Sequence, residues 1–176
     1  MNLKPTPSVT ESFILGPVEL VDQSASLTKG KPIYITRPQL PTYLDDRHLS
    51  YRSVSGKVMS IPTARWAEPL PEGIARAMSL YLSASEKISV EGYYPWPNTA
   101  PGGNRLSLNF QGFGATDTGE VQVLVRWVLQ QPGGESRKGQ FVSKAIRWQN
   151  GQPDALVAAY NEALQALALE LEKSFD

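Results

Sequence analysis

Arg65-Trp66-Ala67-Glu68-Pro69-Leu70-Pro71 opens the stretch whose reading decides the fold. From it, Trp66, Leu70, Ile74, Met78 and Tyr81 recur every three or four residues, and Ala77 and Leu82 widen the same face. That spacing predicts one amphipathic helix running to about residue 83, with one side built to lie on a sheet. Pro69 and Pro71 fit its head, because a first-turn residue has no intrahelical N–H bond to lose, whereas deeper in the helix either ring would break it. Glu68 sits where the partial positive charge of a helix N-terminus favours a carboxylate.

Outward from this helix the chain reads as strands. Upstream, Leu49 and Tyr51 alternate with Ser50 and Arg52, Gly56-Lys57 turns, and residues 58–61 return, which predicts a hairpin. Ile33-Tyr34-Ile35 marks a buried strand over 31–37 that stops at Pro38. Residues 12–15 read as a short strand, and 18–21 as its continuation after a Gly16-Pro17 break. Residues 23–31 read as a polar loop, and residues 1–11, polar and with two prolines, as a flexible N-terminal tether to a single domain over 12–176.

Downstream, Ile88 and Val90 open a strand that runs into Gly92-Tyr93-Tyr94-Pro95-Trp96-Pro97, followed by Pro, Gly, Asn and Thr to residue 104. Leu106, Leu108 and Phe110 alternate with polar residues. Val121, Val123, Val125, Trp127 and Leu129 form the longest strict alternation in the chain and predict a central strand. Thr116-Asp117-Thr118-Gly119 and Pro132-Gly133-Gly134-Glu135 are turns, and residues 139–148 return as a further strand. A last helix from near Pro153 carries Leu156, Tyr160, Ala163, Leu164, Leu167 and Leu171 on one face, with Phe175 at its end. The expected fold is α+β: a mostly antiparallel, mixed sheet of about five to six strands with two helices packed on one face.

Composition bounds the function. The 176 residues suit one domain and a core that needs no covalent staples. Seventeen basic residues balance seventeen acidic ones, so no net field draws nucleic acid or anionic lipid. The absence of cysteine removes disulfides, thiolate metal sites and a cysteine nucleophile, and one histidine argues against a transition-metal centre. No cofactor is implied. No window approaches the ~18 consecutive apolar residues of a transmembrane helix. The first eight residues lack the apolar core of a signal peptide, which describes either a cytosolic protein or a secreted one whose leader has been removed.

Three motifs invite chemistry and are read as structure. Asp117-Thr118-Gly119 matches the aspartic-protease tripeptide, but it follows Gly-Ala-Thr, precedes Glu120 and occurs once, so it reads as a turn. Gly112-Phe113-Gly114 with Gly119 echoes a nucleotide loop, yet it joins two strands instead of opening a helix. His48, near Asp45 and Asp46, has no nucleophile motif beside it and reads as a capped turn or a surface residue. The chain is therefore read as non-enzymatic.

Two features remain. Tyr93, Tyr94 and Trp96 stand in a Pro/Gly loop, where they serve either as an interaction surface or as a lid on the core. Arg65 with Glu68, or Arg52 with Asp45, is a candidate ion pair fixing the helix start to the preceding strand.

The runs Leu40-Pro41-Thr42-Tyr43-Leu44-Asp45-Asp46-Arg47, Leu49-Ser50-Tyr51-Arg52 and Arg65-Trp66-Ala67-Glu68-Pro69-Leu70 resemble, in order and spacing, the signature of the ABC-type transport auxiliary lipoprotein family, the PqiC/YmbA group. Phe110 and Phe113 before a turn, the 119–129 strand and Val157-Ala158-Ala159-Tyr160-Asn161-Glu162-Ala163-Leu164 extend the resemblance over nearly the whole domain. Within the signature, Tyr43, Leu44, Asp45, Arg52, Arg65, Trp66, Glu68 and Leu70 are expected to be structural.

What the resemblance implies is a non-enzymatic accessory lipoprotein of an envelope transport system for lipids or other hydrophobic molecules. It would dock at the periplasmic face of the outer membrane. Its implied partners are an MCE-domain protein, through it an ABC transporter, and further copies of itself in a homo-oligomer. The lipobox cysteine of the family is missing from this chain, so the lipid anchor to the outer membrane that the resemblance implies is missing too, and residues 1–11 would stand in place of the lipidated residue and keep the tether. The alternative is a periplasmic carrier that holds a lipid between helices and sheet, which would need a continuous apolar cavity of a few hundred Å³.

Overall fold

A computed structural model describes residues 9–24, 29–96 and 103–175. Residues 1–8 of the expected tether, and the parts of the expected loops at 25–28 and 97–102, lie outside the described residues. In chain order the elements are β1 (Glu11–Phe13), β2 (Lys31–Ile35), a 3-10 turn (Thr42–Leu44), β3 (His48–Arg52), β4 (Val58–Trp66), α1 (Leu70–Ser83), β5 (Ile88–Tyr93), β6 (Asn104–Ala115), β7 (Glu120–Gln130), β8 (Ser136–Val142), β9 (Ile146–Arg147) and α2 (Pro153–Ser174).

The strict alternation over 121–129 becomes β7, which pairs antiparallel with β6 on one side and with β8 and β9 on the other. Val121, Val123 and Val125 point inward and are fully buried, while Gln122, Arg126, Val128 and Gln130 point out. The sheet order is β5-β2-β6-β7-β8, and β2 runs parallel to both β5 and β6. A parallel pair cannot be closed by a tight turn. Here the route from β2 to β5 carries β3, β4 and α1.

The α+β class and the two helices agree with the sequence reading. What differs is that β3 and β4, with β1 parallel to β4, form a separate three-stranded sheet. That sheet is tied to the larger one by a bridge between Arg52 and Thr116 and by the edge-on contact of Tyr51 with Trp148, at 5.6 Å between ring centres.

Three local expectations are corrected. Trp66 ends β4 and does not belong to the helix: Pro69 is extended (φ −54°, ψ 134°) and caps an α1 that starts at Leu70. Residues 18–21 form no strand, and Val18 is 99% exposed, because no neighbouring strand offers them a ladder. The expected strand over 139–148 starts earlier and breaks at Ser143. There the buried Ser143 hydroxyl accepts the Val123 N–H at 2.9 Å, while its own N–H donates to the Val123 carbonyl, so the ladder stays satisfied as the chain bends.

Between helices and sheet, Ile33, Ile35, Ile74, Met78, Leu106, Phe110, Val123, Val125, Leu164 and Leu167 are all at most 1% exposed. Tyr160 of α2 stacks on Phe113 of β6 at 4.1 Å and tilts against Trp66 at 6.3 Å. Burial above all, with Tyr43 nearby, pushes the Tyr160 hydroxyl well above its ordinary range of about 10, which holds it neutral. This aromatic group locks the end of β4, the six-stranded sheet and α2 together.

Candidate functional site

The parallel pairing of β2 with β5 sets Tyr34 beside Gly92, and α1 packs against β5. Along this edge lies an open groove of about 510 Å³, lined by Tyr34, Glu68, Glu72, Arg76, Glu91, Gly92, Tyr93, Pro95 and Trp96. The Tyr34 ring fits between Gly92 and Gly103, where an added Cβ would come within 3.2 Å of it on either side. Glycine at both positions thus leaves room for this ring.

The aromatic loop is held from several directions. Tyr94 donates its backbone N–H to the Ile35 carbonyl at 3.0 Å. Its ring meets Trp96 edge-on, at 6.4 Å and 80°, and carries the Arg37 guanidinium 5.8 Å from its centre. Tyr94 packs against the core, whereas Tyr93 is 37% exposed and lines the groove with the half-buried Trp96. The loop therefore divides, with one aromatic turned toward the core and two facing the groove.

At the helix side Arg76 is the hub. Its Nε and Nη2 donate to Glu68 Oε1 at 3.0 and 2.5 Å, and Nη2 also donates to the Leu15 carbonyl at 2.8 Å. Gly16 in turn donates its N–H to Asn161 Oδ1 at 2.8 Å, so β1 and the residues after it are clasped to both helices. Both members of the Arg76–Glu68 pair are partly buried, where such a pair is screened less than at the surface.

The two candidate ion pairs are corrected here. Glu68 pairs with Arg76, and Arg65 donates its Nε–H to the Ser12 hydroxyl at 3.2 Å. Arg52 lies over the Tyr43 ring at 6.0 Å, while the exposed Asp45 closes the 3-10 turn by its backbone. Leu44, Trp66 and Leu70 are buried in the core. The two signature segments meet where Trp66 donates its N–H to the Arg47 carbonyl at 2.7 Å and Arg47 Nη1 donates to the Ala67 carbonyl at 3.0 Å. Of the signature residues, only Glu68 reaches the groove.

The motifs set aside in the sequence take structural roles. Asp117 and Thr118 form the turn between β6 and β7. His48 is exposed, with Nδ1 at 3.2 Å from Asp46 Oδ2 and its backbone N–H donated to Asp46 Oδ1. Among the described residues no three His, Cys, Asp or Glu side chains gather as a metal site, and no helix is long and apolar enough to cross a membrane.

Sequence reasoning found the aromatics but not Tyr34, Glu72, Arg76 or Glu91. Tyr34 and Glu91 stand far in the chain from Glu72 and Arg76 of α1, and none carries a motif, so the β2–β5 pairing and the packing of α1 on β5 are what bring them to one groove.

Comparison with known proteins places this architecture. A solved structure of an uncharacterized protein superposes with a TM-score of 0.73 at 16% identity, covering 95% of this chain and 99% of that one. A Xanthomonas campestris protein follows with 0.65 at 15% identity, covering 93% and 90%. Identities this low show a shared fold. No curated protein matches the chain significantly. The profile of the ABC-type transport auxiliary lipoprotein component matches residues 14–172, from the exposed Ile14 before the Arg76 clasp to the last turn of α2, and the chain accordingly belongs to that family.

Proposed function

We propose that the chain is a non-enzymatic docking subunit of an envelope transport system of the MCE/ABC type, acting singly or as a homo-oligomer on the periplasmic face of the outer membrane. Residues 12–176 are its single domain, residues 1–11 the tether, and an N-terminal lipid anchor supplies the membrane affinity. The cargo is a lipid or another hydrophobic molecule, and the MCE-domain protein is the direct partner. Tyr93 and Trp96, with Tyr94 behind them, form its contact surface. Tyr43, Leu44, Asp45, Arg52, Arg65, Trp66, Glu68 and Leu70 hold the scaffold.

The observation that carries this reading is the groove itself. It is open, rimmed by the exposed Tyr93 and the half-buried Trp96, residue types that anchor interfaces, and flanked by α1 and the β2–β5 pair. The carrier reading draws less support, because the space between helices and sheet is filled by side chains at most 1% exposed. A carrier would need an apolar cavity there.

Mixing the chain with the purified MCE-domain protein of its own transport system is expected to give one co-eluting species in size-exclusion chromatography. Tyr93→Ala with Trp96→Ala is expected to abolish it while leaving the unfolding midpoint in place. Separate elution of the unsubstituted proteins would overturn the proposal.

A further inference from the structure

We propose that the groove selects its protein partner by a cationic side chain, lysine or arginine, received between carboxylates and aromatic rings; this rests on the docking reading above. Three carboxylates, Glu68, Glu72 and Glu91, line the groove against one guanidinium, Arg76. Arg76 directs Nε and Nη2 onto Glu68 and Nη2 also onto the Leu15 carbonyl, so its charge is largely spent on Glu68. Among the described residues Glu91 accepts the Ser89 hydroxyl, at 2.6 Å, and Glu72 lines the groove without a cation partner. The groove is left with an excess of two negative charges in a chain whose formal net charge is zero.

Aromatic rings beside those carboxylates narrow the ligand class. Tyr34, Tyr93 and Trp96 line the same space. A ring face attracts a cation, most strongly when water is partly excluded, and carboxylates at the rim add charge-assisted hydrogen bonds. A neutral apolar side chain would gain the rings and waste the carboxylates, and an acidic one would be repelled. The loop already shows this preference on its other side, where Arg37 sits over Tyr94 at 5.8 Å. An open groove also suits a side chain projecting from a protein surface better than a free small molecule, which enclosed pockets hold by burying most of its area.

The test uses the full chain and two probes that differ by one charge, N-acetyl-arginine amide and N-acetyl-citrulline amide. Each is titrated while the Trp96 indole N–H resonance is followed by NMR, with Trp96→Phe identifying it among the four tryptophans. The arginine probe is expected to shift that resonance saturably and to bind about tenfold tighter than citrulline. Glu72→Gln with Glu91→Gln is expected to erase the difference and leave citrulline binding unchanged.

Equal binding of the two probes overturns the cation proposal while the docking reading stands on co-elution. The proposal also falls if the arginine probe leaves Trp96 unmoved although the partner co-elutes in a Tyr93- and Trp96-dependent way. If the partner does not co-elute at all, both readings fall together.

Discussion

Replacing Trp66 by alanine is expected to cost about 3–5 kcal/mol of folding stability, the range for deleting a large buried aromatic. Domains of this kind are stable by about 5–15 kcal/mol in all, so the loss is a large share of the total. The reason is position. Trp66 closes β4, is 3% exposed, and meets Tyr160 of α2, which itself stacks on Phe113 of β6. One side chain thus joins the three-stranded sheet, the larger sheet and the second helix, and its removal opens a cavity that three elements would have to close at once. Urea denaturation should show a lower midpoint at an unchanged slope, with Trp66→Phe intermediate. A midpoint equal to that of the unsubstituted protein would show that the joint does not depend on this ring.

Gly139 gives the second large effect, and nothing in its sequence neighbourhood announces it. Gly139 of β8 lies directly across from Trp127 of β7, and the indole rests on it. A Cβ added there would meet Trp127 Cζ2 at 2.6 Å and Cε2 at 2.7 Å, a distance real atoms do not adopt. The obstructing group is the rigid ring itself, so it must swing out of its 8%-exposed site instead of flexing aside. Gly139→Val is therefore expected to destabilise by about 1–3 kcal/mol, although valine favours strands. Gly133→Ala is the control, since nothing lies within 4 Å of its added methyl. Pairing Gly139→Val with Trp127→Leu should recover part of the loss, a coupling that a double-mutant cycle reads directly. Additive losses in that cycle would refute the contact as the cause.

These two residues also mark how far the sequence could be read. Alternation over 121–129 identified the central strand because a buried face imposes period two on one continuous segment. Trp66 misled because it fits two periods at once, i+4 to Leu70 on a helix and i+2 from Ala64 on a strand. Only the extended Pro69 decides between them. The apolar run at 18–21 had strand composition but no partner, and composition cannot supply one.

The parallel pairing of β2 with β5 and β6 is a long-range event with no local signature, so the separate three-stranded sheet and the groove beside β5 followed only from the structure. The aromatic loop was legible as a candidate because large rings among prolines and glycines are out of place in a plain connection. Its acidic companions were not, because Glu72 and Glu91 are ordinary surface residues until α1 and β5 are set side by side.

The central claim is that the aromatic groove is where this auxiliary lipoprotein meets its transport partner. Its most direct measurement is site-specific photo-crosslinking in intact bacterial envelopes, with the photoreactive residue at position 93 on the groove and, separately, at position 140 on the exposed β8 edge across the sheet. The account predicts adducts to the MCE-domain protein from position 93 and none from position 140. Adducts from position 140 alone, or from neither position when the partner is present, would contradict it.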